Sequence, residues 1–203
     1  MKKQLPQWIE EAECRLVLHK NCRNTAEVFK TSCSIMGLDT VIFNEIHGEV
    51  PTAKFYRTAP ELEIVVGNFI KRVSSEGFLP EDIVVLTAKT TDNSWLDAEK
   101  EYGGFYLSLT REPGKVLFTT IRKFKGLEAD AVLIVDASMT SLMIPGNRRL
   151  LYVGTSRAKN LLNIAMLEDV ESDKMGDFLR SIAPQRNVPK NKKGLKRLLN
   201  ITI

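Results

Sequence analysis

The stretch over residues 120–128 has the composition of a phosphate-binding loop. Its sequence, TIRKFKGLE, holds three cations, one glycine and one carboxylate. The apolar runs on either side, residues 116–118 and 131–135, predict two strands. A cationic link at the end of a strand can offer charge to a phosphate-rich ligand. Many ligands fit that description, so the meaning of this stretch depends on the residues that accompany it.

Two further arginines lie beside predicted strand or helix ends. Arg23 lies in the sequence NCRNT, just before a predicted helix, and Arg157 lies in YVGTSRAK. A lone arginine is more often a solvated or salt-bridged surface residue than a ligand contact. These two arginines and the stretch over residues 120–128 together are stronger evidence for a phosphate site than any one of them. The planar, permanently charged fork of arginine can bind two phosphate oxygens at once.

The net charge comes mainly from the end of the chain. The 203 residues carry a formal charge of +4, while the last eighteen hold six cations and no acid. The rest is slightly acidic, so we expect a local anion site and not a broadly basic nucleic-acid binder. We interpret residues 1–183 as one domain and residues 184–203 as a basic tail that has the composition of a flexible segment. We favour a solvated tail over one that binds nucleic acid.

Cysteine, histidine and tryptophan patterns indicate structural roles. Three cysteines without CxxC spacing and two isolated histidines predict reduced thiols and no metal site. Trp8 and Trp95 are interpreted as packing residues in preference to stacking platforms. No apolar run approaches the roughly 20 residues of a membrane span, and the first residues lack the apolar core of a signal peptide. We therefore expect a soluble, cytoplasmic protein without a membrane partner.

Strands alternate with helices along the chain. Helical periodicity is clearest over residues 59–76, and a second amphipathic pattern over residues 24–36 ends at Gly37. Further helices are predicted at 94–102, 148–159 and 172–182, and strands at 15–18, 41–46, 53–56, 83–86, 105–109, 116–119, 131–135 and 161–166. This order predicts a layered α/β domain with a mainly parallel sheet, in which the wholly apolar run 83–86 is an inner strand.

The sequence offers one more ligand contact and lacks a phosphate loop. Lys89 follows the predicted inner strand, and ligands collect outside the carboxyl ends of strands in open parallel sheets, although a turn without function is the alternative. The GxxxxGK[ST] pattern is absent, since Gly114-Lys115 is followed by Val116, and no Asp-Glu pair ends an apolar strand. We therefore expect no ATP hydrolysis by this chain alone.

Three motifs resemble those of superfamily 1 helicases of the UvrD/Rep type, in their C-terminal RecA-like domain. NCRNT resembles the family's NYRS/T element, TIRKFKGLEAD resembles T-[IL]-H-x-x-K-G-L-E-[FW]-D, and LYVGTSRAK resembles L-x-Y-V-x-x-T-R-A. The resemblance runs from about residue 15 to residue 166. It implies a RecA-like, three-layer α/β domain with a mainly parallel sheet and without the Walker A half. The chain departs from the pattern at Cys22 and Ala129, where an aromatic residue is usual, and at Arg122, where histidine is usual.

The resemblance implies a role in nucleotide binding for several residues. Arg157 and Arg23 would be arginine fingers for the γ-phosphate of ATP. The ATP, with Mg²⁺, would be held mainly by a separate N-terminal RecA-like domain that carries the phosphate loop. Glu128 would accept a hydrogen bond from the ribose, and Gly126 and Lys125 would lie beside it in the nucleotide site.

A second group of residues is predicted to bind the nucleic acid. The resemblance places Thr120 and Arg122 against the backbone of single-stranded DNA, or RNA, and we add Lys123 and Lys89 as neighbouring cations. Arginine at position 122 favours phosphate contact but removes a stacking surface.

The leading hypothesis is the C-terminal motor domain of an ATP-dependent DNA helicase, which is inactive as the isolated chain. A nucleic-acid-binding module without motor function is one alternative, and it predicts salt-sensitive binding that needs Arg122 and Lys123 but not Arg157. An interaction module that keeps only the fold is the other, and it predicts no effect of substituting either Arg23 or Arg157.

Overall fold

The computed structural model describes residues 23–38 and 45–203. Within these ranges the chain forms five α-helices and seven strands. The helices are α1 (Ala26–Met36), α2 (Ala59–Ser75), α3 (Pro145–Thr155), α4 (Met175–Ile182) and α5 (Lys192–Leu199). The strands are β1 (Thr52–Tyr56), β2 (Ile83–Thr87), β3 (Glu101–Tyr102), β4 (Phe105–Ser108), β5 (Val116–Thr120), β6 (Ala129–Ser138) and β7 (Ala158–Leu167).

The seven strands form one sheet in the order β1-β7-β6-β2-β5-β4-β3. Neighbouring strands run parallel, except for the short antiparallel pair β3 and β4 at one edge. β2 pairs with β5 on one side and with β6 on the other, and all five of its residues are buried. The predicted inner parallel strand is confirmed, because an apolar run without alternation suits a strand that is covered on both faces.

Helices cover both faces of the sheet. On one face α1, α3, α4 and α5 pack against β6 and β7 through residues such as Val28, Leu151 and Leu195. On the other face α2 packs through Leu62 and Phe69. The predicted three-layer α/β fold with a mainly parallel sheet is confirmed.

The helices α1 and α2 form where the sequence predicts them. α2 begins after Thr58, whose hydroxyl accepts a hydrogen bond from the backbone N–H of Glu61 and so satisfies one of the free donors of the first turn. α1 ends at Gly37, which has a left-handed φ of 71° that glycine adopts without strain. Local signals were sufficient in both places.

The helix predicted over residues 94–102 is wrong. The structure has a 3₁₀ turn at Thr91–Asn93 and an irregular segment that leads into β3. Side chains here bind backbone N–H groups locally, since the Ser94 hydroxyl accepts from Leu96 and the Asp97 carboxylate accepts from Glu99. Such bonds give the backbone an alternative to the hydrogen bonds of an α-helix.

The helix predicted over residues 148–159 begins and ends earlier than expected. α3 ends at Thr155 and β7 begins at Ala158, so Arg157 lies in a two-residue connection between them. The strand predicted over residues 131–135 extends over ten residues as β6 and includes Asp136, which has a φ of 59°. The strand predicted at 15–18 lies outside the described residues, as does most of that at 41–46.

The chain after residue 184 differs from the predicted flexible tail. It contains α5, in which Leu195, Leu198 and Leu199 are buried against α1 and α4. After α5 the chain returns to the sheet, where the backbone N–H of Thr202 donates to the carbonyl of Pro51 at 2.8 Å. Four of the six basic residues of this segment therefore lie on a helix that is packed into the domain, namely Lys192, Lys193, Lys196 and Arg197.

Among the described helices, none combines the length and apolar character that crossing a membrane requires.

A close contact between α2 and the β3–β4 turn predicts an effect on stability. A Cβ atom at Gly103 would lie 2.4 Å from the carbonyl oxygen of Gly67 and 2.9 Å from the backbone nitrogen of Lys71. Backbone atoms cannot rotate away, so we expect Gly103→Ala to lower the free energy of unfolding by about 2–4 kcal/mol in urea denaturation. Gly104→Ala is the matched control, because Gly104 also has a positive φ but no described residue beyond its two neighbours lies within 4 Å of its Cβ position. Its expected loss is about 1–2 kcal/mol, and equal losses in the two variants would contradict the contact.

Candidate functional site

Arg23, Glu128 and Arg157 come together where the parallel strands begin, which we call the amino-terminal edge of the sheet. Nε of Arg23 lies 3.0 Å from a carboxylate oxygen of Glu128. Glu128 precedes β6 and Arg157 precedes β7, and the backbone N–H of Ala129 donates to the carbonyl of Arg157 at 3.1 Å. Three residues far apart in the sequence thus form one cluster of two guanidinium groups and one carboxylate.

The guanidinium group of Arg157 is oriented by neutral acceptors. It donates to the carbonyl oxygens of Val153 at 3.0 Å and Leu127 at 3.3 Å, and to the hydroxyl of Ser156 at 3.3 Å. Partial burial, and next the charge of Arg23, lower the pKa of Arg157, while Glu128 acts in the opposite direction. An arginine stays protonated at physiological pH despite such a shift, so these contacts fix its direction while leaving its charge available to an anion.

Asn24 connects Arg23 to the segment that carries Arg157. Its side-chain amide, which is buried, donates to the carbonyl of Ser156 at 3.1 Å and also to the carbonyl of Ala158. The backbone N–H of Thr25 donates to the carbonyl of Lys159 at 3.0 Å. Thr25 occupies the N-cap position of α1 and makes no side-chain cap bond there. The role of Asn24 depends on residues more than 130 positions away, so no local signal could have revealed it.

Residues 121–126 form a packed turn. Ile121 and Phe124 are each 1% exposed, whereas Arg122, Lys123 and Lys125 between and after them are exposed. The backbone N–H of Phe124 donates to the carbonyl of Thr120 at 3.1 Å, and that of Leu127 donates to the carbonyl of Phe124 at 3.1 Å. The three cations therefore lie on the outer side of a turn that is anchored in the core.

Gly126 ends this turn with a φ of 93°, a left-handed conformation that glycine adopts without strain. Within the part of the chain that the structure describes, no atom beyond the two adjacent residues lies within 4 Å of the position that a Cβ atom would take there. The glycine is thus required by the backbone conformation and not by a close neighbour within the domain. Its predicted place beside a nucleotide stays a prediction.

The connection between β5 and β6 begins where the parallel strands end, which we call the carboxyl edge of the sheet, and it returns to the amino-terminal edge. Thr120 pairs with Thr87 at the carboxyl end of the sheet, and Thr87 also pairs with Val135 of β6. Ala129 lies six residues before Val135, which corresponds to roughly 20 Å along a strand. The predicted site residues therefore divide into two groups. Arg23, Glu128 and Arg157 lie at the amino-terminal edge, while Thr120 and Lys89 lie at the carboxyl edge.

Lys89 belongs to a polar cluster at the carboxyl edge. The hydroxyl of Thr87 donates to the Asp136 carboxylate at 2.6 Å and accepts from the backbone N–H of Lys89 at 3.0 Å. The ammonium group of Lys89 lies 4.0 Å from the other carboxylate oxygen of Asp136, whose side chain is fully buried. Asp136 thus orients the loop that carries Lys89. No motif in the sequence indicated this role of Asp136, which depends on contacts between two neighbouring strands.

The described residues contain no group of three or more His, Cys, Asp or Glu side chains that could hold a metal ion. The carboxylates of the site occur singly, with Glu128 at one edge of the sheet and Asp136 at the other.

Comparisons with known proteins agree with the motifs. Residues 115–165 match the family model of the UvrD-like helicase C-terminal domain. This match covers β5, the connection that follows it, β6, α3 and most of β7, and it includes Glu128 and Arg157. No curated protein sequence matches the chain.

The fold is similar to the crystal structure of the C-terminal domain of a possible DNA helicase from Lactobacillus plantarum WCFS1. The TM-score is 0.56 at 20% sequence identity, over 71% of this chain and 86% of that chain. The fold therefore belongs to the RecA-like α/β class. Within that class, the family match confirms the resemblance to the C-terminal domain of UvrD/Rep-type helicases.

The contacts of Asn24 predict an effect on stability. Asn24→Ala leaves the carbonyl oxygens of Ser156 and Ala158 without this donor, so we expect a loss of about 1–3 kcal/mol in the free energy of unfolding. Asn160→Ala is the control, because the Asn160 amide donates to Asp130 in an exposed pair. Its expected change is within about 0.5 kcal/mol. Urea denaturation of both variants measures the difference, and equal stabilities would show that Asn24 does not hold the two segments together.

Proposed function

We propose that this chain is the C-terminal motor domain of an ATP-dependent DNA helicase. The convergence of Arg23, Glu128 and Arg157 at one edge of the sheet carries the proposal. Two guanidinium groups beside a single carboxylate leave an excess of positive charge, which suits a phosphate group. The match of residues 115–165 to the UvrD-like helicase C-terminal domain supports the same function.

In this proposal the cluster completes an ATP site that an N-terminal RecA-like domain supplies. That domain holds ATP and Mg²⁺ mainly through its phosphate loop, and hydrolysis of the nucleotide supplies the free energy for movement. Arg157 and Arg23 approach the γ-phosphate and stabilise the charge that develops on it during phosphoryl transfer. Arg157 is already directed by its three neutral acceptors, so little rotamer freedom remains to be lost on binding.

Arg23 is paired with Glu128 in this structure, and in this proposal a phosphate group takes the place of that carboxylate. The pair is about half exposed on both sides, and ion pairs of this kind contribute about 0–1 kcal/mol. A phosphate group with several negative charges is a stronger partner for the guanidinium group than one carboxylate. The exchange therefore favours phosphate, and it releases the Glu128 carboxylate to accept a hydrogen bond from the ribose, beside Gly126 and Lys125.

Single-stranded DNA, or RNA, binds in this proposal at the carboxyl edge of the sheet, where Thr120 and Lys89 lie and where Arg122 and Lys123 follow. The packed turn over residues 121–126 joins this edge to Glu128. Because Ile121 and Phe124 hold the turn in the core, the two groups keep a fixed separation within the domain. Closure of the domain on ATP then moves the nucleic-acid contacts as one body with the nucleotide contacts.

The first test uses the chain together with the N-terminal domain that carries the phosphate loop. We expect Arg157→Ala to lower the DNA-stimulated rate of ATP hydrolysis by about 10³-fold or more, because arginine fingers contribute on that scale. Arg149→Ala is the matched control, since Arg149 is an exposed arginine on α3, outside the cluster. A steady-state ATPase assay measures both. Unchanged turnover of the Arg157 variant would contradict the proposal.

The second test addresses the nucleic-acid contacts. We expect Arg122→Ala and Lys123→Ala each to weaken the binding of single-stranded DNA and to reduce the slope of log K against log salt by about one. Fluorescence anisotropy over a series of salt concentrations measures both quantities. If the two variants lose binding while Arg157→Ala leaves the ATPase rate unchanged, the chain is a nucleic-acid-binding module without motor function.

A further inference from the structure

Trp95 presents an exposed aromatic ring beside the carboxyl edge of the sheet. It follows the 3₁₀ turn Thr91–Asn93, which packs next to the end of β5. Its relative exposure is 41%, while the next residue, Leu96, is 5% exposed and belongs to the core. Because Leu96 anchors the segment in the core, the packing of this segment does not depend on the position of the indole ring.

The indole ring is held from one side by a buried aromatic residue. Tyr56, the last residue of β1, is 2% exposed, and its ring meets the indole edge-on with a centroid separation of 5.8 Å and an interplanar angle of 72°. An edge-to-face contact of this kind restricts the tilt of the indole. The ring is thus a rigid surface that remains partly open to solvent.

A cation lies next to this surface. The ammonium group of Lys89 is 5.4 Å from the centre of the indole ring and 4.0 Å from the buried carboxylate of Asp136. The backbone of Lys89 is fixed through the hydroxyl of Thr87, which pairs along the sheet with Thr120. An exposed aromatic ring beside a positive group is the combination with which proteins bind single-stranded nucleic acid without sequence preference.

We propose that Trp95 stacks on a base of single-stranded nucleic acid and that Lys89 binds an adjoining phosphate. The inference rests on the proposed function, because it adds a base contact to the nucleic-acid edge described above. Trp95 was interpreted from the sequence as a packing residue, and its exposure and its place beside Lys89 are what change that interpretation.

The contact between Lys89 and the indole does not prevent stacking. A cation–π contact at an exposed site contributes a factor of about 2–5 to an equilibrium constant. Stacking of a base on an aromatic side chain contributes a factor of about 5–150. The base therefore displaces the ammonium group from the ring, and a phosphate replaces the ring as the partner of the ammonium group.

The experiment compares two single-stranded probes on the full chain, an oligothymidine and an abasic strand of the same length. We expect Trp95→Ala to weaken binding of oligothymidine by about 5- to 150-fold with an unchanged salt slope. Binding of the abasic strand should stay within a factor of about two, because that strand has a backbone but no bases to stack. Trp95→Phe should retain most of the affinity.

Two controls separate stacking from a change in the fold. Tyr106→Ala removes another exposed aromatic residue, on β4, and should leave both affinities unchanged. Lys89→Ala should reduce the salt slope by about one for both probes, since it removes a phosphate contact. An equal loss for oligothymidine and the abasic strand in Trp95→Ala would overturn the stacking inference.

Failure of the inference can be told apart from failure of the proposed function. If oligothymidine binding depends on Arg122 and Lys123 but Trp95→Ala binds like the unaltered chain, the stacking inference fails and the nucleic-acid edge stands. If the unaltered chain and its N-terminal partner domain bind neither probe, the proposed function fails, and the inference fails with it.

Discussion

The arrangement of the site depends on the burial of Ile121 and Phe124, which holds the short connection between β5 and β6 against the core. Burying side chains of this size contributes about 1.5–3 kcal/mol each. The absence of a side chain at Gly154 permits this packing, because a Cβ atom there would lie 2.9 Å from Ile121. With two anchors inside, the cations of the turn face outward, and both ends of the connection are fixed relative to the sheet.

Local signals in the sequence predicted the core of the fold. β2 and α2 were predictable because an uninterrupted apolar run and a helical repeat each report burial directly. The segment after β2 was not, since side-chain bonds from Ser94 and Asp97 decide its backbone. The buried leucines of α5 have helical spacing in the sequence, but the six cations around them dominated the interpretation as a solvated tail.

The sequence motifs nominated the residues of the candidate site, but they did not predict the geometry in which the structure places them. The order of the motifs selected Arg23, Glu128 and Arg157 as candidates, but their arrangement depends on Asn24, whose hydrogen-bond partners lie more than 130 residues away in the sequence. The division of the site between two edges follows from the register of β2 with β5 and β6, and register is a property of paired strands. The exposure of Trp95 likewise depends on how neighbouring elements pack, and sequence composition does not report it.

The exposed position of the Arg23–Glu128 pair has a consequence for the kinetics of the proposed cycle. Exposed side chains change rotamer in picoseconds to nanoseconds, whereas two domains close on each other in microseconds to milliseconds. Arg23 therefore samples positions away from Glu128 many times during one closure. Its release cannot be the slow step, so the rate of the cycle is set by domain movement, by chemistry or by the departure of products.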